Sequence, residues 1–191
     1  MLELAAASHD DGVRELSVLS ARLAYALMCL TLTWGVLVST GWFDRLTGRH
    51  ALRSSHQVFA TITLSFAFVH GVSFLILDKD ALPLGRVIIP FTGPLRDTFG
   101  TLAFEGMLAA AISVGLKRWT NYWRWLWIHR LAYPAFVLGV LHAFFQALAR
   151  GTLSAVYLGG LTLLIPTVTV TLLRFVPPKA LESAGLAEGG P

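Results

Sequence analysis

The chain has 191 residues, of which 55% are hydrophobic and 14% are charged, and its net charge is +4. Soluble domains carry about 25% charged residues, so this composition excludes an ordinary soluble globular domain and makes lipid the expected solvent. The basic residues stand in short runs between apolar segments. That arrangement favours contact with the headgroups of a lipid bilayer and excludes a nucleic-acid-binding patch.

Five apolar segments are long enough to cross a bilayer, which takes roughly 20 residues. In chain order they cover residues 19–42, 51–77, 99–116, 122–148 and 152–173. Residues 1–18 form an N-terminal tail. Its first part, Met1 to Asp11, is acidic and lacks the basic region of a cleaved signal peptide, so we expect the first segment to be a retained helix. The connection 78–98 contains three prolines and is too broken to span. Residues 175–191 are rich in Pro, Gly and Glu and are predicted to be disordered.

The sequence thus predicts an all-α integral membrane bundle of about five transmembrane helices, with one domain over residues 19–174. Basic residues in the loops predict its orientation. One side receives Arg45, Arg49, Arg53, Lys117, Arg118, Arg124, Arg174 and Lys179, and the other receives Arg14, Arg22, Lys79, Arg86, Arg96 and Arg150. The first group is denser and closer to the helix ends, so we expect it in the cytoplasm. This places a multi-pass protein in the cell membrane with its N-terminus outside and its C-terminus inside.

Four of the six histidines lie inside predicted spans, where ionisable residues are costly and usually functional. His56 and His70 are 14 residues apart on the second span, and His129 and His142 are 13 apart on the fourth. At 1.5 Å per residue, each pair is separated by about 20 Å along its helix. The two spans run parallel because one span lies between them, so His56 can face His129 and His70 can face His142. Two facing imidazoles are what axial ligation of a haem requires.

Alternatives to this interpretation remain open. A separation of 13 residues leaves His129 and His142 about 140° apart on an ideal helix, although Pro134 between them can kink or unwind it. A zinc or copper site would need ligands at i, i+3 or i+4, and that spacing does not occur. A haem-free transporter or structural membrane protein would use the histidines as a proton path or as helix contacts. His9 and His50 lie outside the spans and are expected to be solvated.

The strings HQVFATITLSFAFVH (56–70) and WRWLWIHRLAYPAFVLGVLHAF (123–144) resemble the ferric reductase-like transmembrane domain family. This family includes ferric reductases, NADPH oxidases and the haem subunit of the bacterial periplasmic methionine sulfoxide reductase. The resemblance covers roughly residues 19–174 and implies a bundle with two b-type haems that carries electrons across a membrane. It implies that His56 and His129 bind the inner haem, and that His70 and His142 bind the outer one.

Two departures from the family pattern refine this expectation. Full-length oxidases and reductases of the family continue into a flavin and nicotinamide domain, whereas this chain ends at Pro191. The resemblance therefore implies an electron-transfer component of an oxidoreductase, which receives electrons from a separate flavoprotein or from quinol and passes them to an acceptor on the outer side. Superoxide-forming members carry a further histidine where this chain has Phe74, so dioxygen reduction is not expected.

Haem propionates are anionic and need cationic or hydrogen-bonding partners. Arg53 and Arg130 are placed for the inner haem, and Arg22 and Arg150 for the outer one; the alternative for each is an ordinary snorkelling arginine. Glu105 is the one acid well inside a span, where it either pairs with an arginine, relays a proton or stays neutral and hydrogen-bonded. An interfacial aromatic belt is expected near the cytoplasmic end of the fourth span, formed by Trp119, Trp123, Trp125 and Trp127.

Overall fold

The computed structural model describes residues 2–183. This part of the chain is mostly helical and contains no strand. Its helices are α1 (Leu2–Thr40), α2 (Asp44–Thr47), α3 (Arg49–Ser73), α4 (Leu84–Ile88), α5 (Leu95–Leu116), α6 (Tyr122–His129), α7 (Ala132–Arg150), α8 (Leu153–Leu173) and α9 (Pro178–Ser183), with a 3-10 turn at Lys117–Trp119. The all-α class predicted from composition is confirmed.

Three stretches are both long and apolar enough to cross a bilayer: Ala7–Thr40, Leu95–Trp119 and Tyr122–Arg150. A shorter apolar helix covers Gly159–Leu173 within α8. Helix α3 has 25 residues, which at 1.5 Å per residue is enough to cross a hydrocarbon core of about 30 Å. Its polar side chains lower its hydropathy, but Thr63 and His70 bond to α1 rather than to solvent. The chain is therefore a multi-pass membrane bundle.

Helix α1 begins at Leu2, well before residue 19, where the apolar pattern starts. Its 39 residues extend over about 58 Å, nearly twice the thickness of the hydrocarbon core. The added turns are held by the segment that follows α3. The buried carboxylate of Asp10 accepts the backbone N–H groups of Asp78 (2.7 Å) and Lys79 (3.0 Å), and Arg14 pairs with Asp80. Tertiary bonds thus extend a helix that hydropathy alone makes shorter.

The bundle is built from two antiparallel helix pairs. Helix α1 packs along α3, α5 packs along α7, and α8 lies against α1 and α7. The packed centre joins Met28 and Cys29 of α1 to Phe136 of α7. Gly139 lets α7 approach α1 closely, because a Cβ there would lie 3.0 Å from the Met28 sulfur. Small residues serve this purpose in membrane helices, where van der Waals contact takes the place of the hydrophobic effect.

The predicted fourth span is interrupted, with α6 ending at His129 and α7 beginning at Ala132. Pro134 has no N–H to donate to the Arg130 carbonyl, which instead accepts the Tyr133 N–H at 3.0 Å. The interruption changes the rotation between the two halves of the span. His129 and His142 both bond to carbonyls of α5, despite their 13-residue separation.

The sequence also gave predictions for two segments outside the spans. The connection between α3 and α5 contains only the five-residue helix α4, so it is too short to span. Composition predicts disorder over residues 175–191, but the chain is helical at Pro178–Ser183. Residues 184–191 lie outside the described part of the chain.

Candidate cofactor-binding site

The structure brings the four intramembrane histidines together in two pairs. In the first pair, His56 of α3 and His129 of α6 have ring centres 6.2 Å apart, with their planes at 75°. In the second pair, His70 of α3 and His142 of α7 have ring centres 6.3 Å apart, with their planes at 71°. Each pair therefore joins one helix from each half of the bundle.

Every one of these imidazoles has its Nδ1 atom at a backbone carbonyl. The bonds run from His56 to Thr31 (3.1 Å), from His70 to Ser17 (2.9 Å), from His129 to Ala110 (3.2 Å) and from His142 to Arg96 (2.7 Å). A carbonyl only accepts, so Nδ1 carries the proton and Nε2 keeps a free lone pair. This tautomer, held by a carbonyl, is the usual arrangement of a histidine that ligates a metal through Nε2.

The four carbonyls repeat the spacing of the ligand helices. Ser17 and Thr31 are 14 residues apart on α1, and Arg96 and Ala110 are 14 residues apart on α5. Fourteen residues are close to four full helical turns, so both carbonyls of a helix lie on one face, about 21 Å apart. Helix α1 thus holds both histidines of α3 at two depths, and α5 holds those of α6 and α7 at the same two depths.

The separation within each pair fits two imidazoles on one iron. An imidazole nitrogen lies about 2 Å from a bound transition metal, and the ring centre lies about 1 Å farther. Imidazoles on opposite sides of one metal then have centres about 6 Å apart. The observed values are 6.2 and 6.3 Å, so each pair leaves room for one iron in a planar macrocycle that supplies the remaining ligands.

A metal ion without a macrocycle fits the two pairs poorly. Zinc takes three or four protein ligands, whereas each level of the bundle offers two imidazoles. Among the described residues, the group of three or more metal-ligating side chains with mutually close ligand atoms is His9, Asp10 and Asp78. That group lies near the N-terminus of α1, away from both pairs.

Two glycines allow the imidazoles to lie against helix backbones. A Cβ at Gly35 of α1 would lie 3.1 Å from Cε1 of His56, and a Cβ at Gly100 of α5 would lie 2.7 Å from Cε1 and Nδ1 of His142. The second distance is shorter than any side chain tolerates. Sequence reasoning did not single out these glycines, since only the contact with a histidine distinguishes them from other helical glycines.

An aromatic ring and a cation lie beside the first pair. The indole of Trp125 stacks on the His129 ring, with 5.4 Å between centres and 19° between planes. The Nζ atom of Lys117 lies 4.4 Å from the centre of the same indole. The indole N–H of Trp125 is buried, and no group in the described part of the chain accepts a hydrogen bond from it.

The second pair adjoins a polar network at the start of α5. The Phe74 ring lies edge-on to His70 at 5.2 Å. Asp97, next to the residue whose carbonyl holds His142, accepts bonds from Gln146 (2.8 Å) and Arg86 (3.1 Å). This network joins α4, α5 and α7 next to the second pair.

Residues 20–140 match the family described as ferric reductase like transmembrane component. The chain belongs to this family. The match includes His56, His70 and His129, and His142 lies two residues beyond its end.

The curated proteins include a relative of this ferric reductase-like chain, the protein-methionine-sulfoxide reductase heme-binding subunit MsrQ of Ralstonia nicotianae. It is 32% identical over 118 residues, which are 61% of this chain and 51% of the relative. The chain thus spans about half the length of that protein. No solved structure matches the chain.

The four candidate arginines of this ferric reductase-like domain lie on different helices or at different distances along them from the histidines. Arg150 is the last residue of α7, the helix that carries His142, and it is exposed. Arg53 precedes His56 by one turn, Arg130 follows His129, and Arg22 lies on α1. All three are exposed, and none forms an ion pair with a described side chain.

The remaining sequence candidates lie apart from the pairs. Glu105 of α5 lies between the depths of the two carbonyls of that helix, but it is exposed and forms no ion pair with a described side chain. His50 is exposed at the start of α3. His9 is half-exposed, with its Nδ1 3.3 Å from a carboxylate oxygen of Asp78.

Proposed function

We propose that this ferric reductase-like domain binds two b-type haems, one at each histidine pair, and carries electrons across the cell membrane. A bound haem supplies one-electron chemistry, because its iron alternates between the ferric and ferrous states. The proposal rests on one observation: two pairs of imidazoles face each other with ring centres 6.2 and 6.3 Å apart, and the Nδ1 of each imidazole is bonded to a carbonyl.

The protein's own groups prepare the ligand atoms. The carbonyls of α1 and α5 fix the tautomer and orientation of each ring and make Nε2 more basic. His56 and His70 lie about 21 Å apart along α3, which is most of the thickness of the hydrocarbon core. Two redox sites at these depths would divide the width of the membrane into shorter distances for electron transfer.

The family suggests the partners, and the loop charges suggest the orientation. The name of the Ralstonia relative describes a haem-binding subunit of a methionine sulfoxide reductase, so we propose that this chain is likewise the membrane subunit of an oxidoreductase. Its electrons would come from a separate flavoprotein or from quinol, and its acceptor would lie outside. The group of eight basic residues would face the cytoplasm, which places the first pair on the inner side and the second on the outer side.

A proton path through the four histidines is the competing function. Each Nδ1 has a backbone carbonyl as a partner, and a carbonyl accepts a hydrogen bond but has no proton to pass on. The Ser17 hydroxyl also lies 3.2 Å from His70 Nδ1, but it serves only the second pair. The two pairs are also separated by about 21 Å along α3, well beyond hydrogen-bond reach. These contacts favour ligation over proton transfer.

Haem content tests the proposal. Pyridine haemochrome analysis of purified protein, expressed with ample haem, should give close to two b-type haems per chain. Replacing His56, His70, His129 or His142 by Ala should remove about one haem, because an iron that loses an axial ligand is held far more weakly. The matched controls His9→Ala and His50→Ala should keep both. A colourless wild-type protein would refute the proposal.

A further inference from the structure

The indole of Trp125 carries an unusual donor for a protein interior. Its N–H is buried and has no hydrogen-bond partner among the described residues. Such a donor costs free energy unless something accepts its hydrogen bond, and native structures rarely leave one unpaired. The general expectation of an aromatic belt explains a tryptophan at this depth, but a belt tryptophan directs its N–H toward water or headgroups.

The position of Trp125 next to a proposed ligand indicates what the acceptor is. The Trp125 ring stacks on His129 with 5.4 Å between ring centres, and Lys117 Nζ lies 4.4 Å from the centre of the Trp125 ring. An indole N–H only donates, and a nearby ammonium favours an acceptor with negative charge. Asp44, an acid at this end of the bundle, has one carboxylate oxygen 3.6 Å from Arg49, and its other oxygen forms no hydrogen bond with the Trp125 indole.

We propose that the Trp125 indole N–H and the Lys117 ammonium bind one propionate carboxylate of the haem held by His56 and His129. This inference rests on the proposed function, since it requires a haem at the first pair. It assigns the propionate to Trp125 and Lys117 instead of Arg53 and Arg130. Lys117 is exposed, as both arginines are, so the feature that favours this site is the buried indole N–H with a cation beside it.

The test compares Trp125→Phe, which removes the N–H while keeping an aromatic ring against His129, with Trp123→Phe on the same helix. Trp123 is 67% exposed and serves as the matched control. Lys117→Gln removes the charge independently. Each full-length protein is titrated spectroelectrochemically to obtain both midpoint potentials, and haem loss to excess apomyoglobin is followed over time.

Trp125→Phe and Lys117→Gln should each lower the midpoint potential of one haem and leave the other unchanged, because a less compensated carboxylate favours ferric iron. The same haem should leave about ten-fold faster, the effect expected for losing one hydrogen bond to a charged group. If Trp125→Phe does not fold, Lys117→Gln decides alone.

The inference would be overturned, but not the proposed function, if Trp125→Phe and Lys117→Gln still bind two haems and give the same midpoint potentials and rates of haem loss as Trp123→Phe. Altered phospholipid retention with unchanged potentials would assign the donor to a lipid phosphate, which also overturns it. A wild-type protein without haem would instead refute the proposed function.

Discussion

His142 lies closer to a neighbouring helix backbone than the other three ligand candidates. Its Nδ1 is 2.7 Å from the Arg96 carbonyl, the shortest of the four histidine–carbonyl distances. The ring reaches this position because Gly100, one turn along α5, has no side chain. At this depth a single methyl group therefore decides where an imidazole lies.

Gly100→Ala should weaken haem binding at the second pair. The added Cβ would lie 2.7 Å from two atoms of the His142 ring, so the ring must move away from the carbonyl that holds it. Loss of such a supporting bond lowers metal affinity about ten-fold or more. Haem per chain and the rate of haem loss to apomyoglobin measure the effect.

Gly115→Ala on the same helix is the control, because no atom of the described residues lies within 4 Å of a Cβ there. Both substitutions change helix propensity alike, so only the contact with His142 separates them. Equal haem retention in the two variants would show that this contact does not matter.

At the level of elements, the interruption between α6 and α7 reconciles the two histidine spacings. An unbroken helix would turn His129 about 140° away from His142. The bond from the Tyr133 N–H to the Arg130 carbonyl replaces a regular helical bond at the position where Pro134 cannot donate. Helix α3 needs no such break, because its 14-residue spacing returns to within about 40° of the same face.

The extension of α1 should depend on Asp10. Its two carboxylate oxygens accept the Asp78 and Lys79 N–H groups, so Asp10→Ala should free both amides. Hydrogen–deuterium exchange at these two residues should become about ten-fold faster, while exchange in the middle of α3 stays slow.

Asp11→Ala is the matched control, because Asp11 is exposed beside Asp10. Unchanged exchange at the Asp78 and Lys79 amides in Asp10→Ala would show that the segment after α3 is held by other contacts.

For the whole molecule, orientation is open to direct measurement. A cysteine at Arg49 should be shielded from an impermeant thiol reagent in intact cells, whereas one at Lys79 should react, because the denser basic group is expected inside. Both positions are exposed, and the native Cys29 is buried with 1% of its surface exposed, so it adds little background. The reverse labelling pattern would exchange the inner and outer assignments of the two pairs.

The sequence by itself determined the class of the protein, the four histidines and their two depths. The low fraction of charged residues indicates that lipid is the solvent, and the rise per residue of a helix gives the depth of each histidine from its position in the sequence. Neither inference depends on a tertiary contact. The family could also be inferred from the strings around the histidines, and the match over residues 20–140 confirmed it. Hydropathy located the spans but placed the start of α1 too late, because its polar first turns are stabilised by bonds to a distant loop.

Only the tertiary structure decided what surrounds the histidines. Every residue has a carbonyl, so nothing in the sequence marks those of Ser17, Thr31, Arg96 and Ala110 as partners of imidazoles. Gly100 and the N–H of Trp125 likewise differ from their neighbours only by what lies against them. Residue type sets the chemistry that a position can perform, but the packing of helices distant in sequence decides which atoms meet.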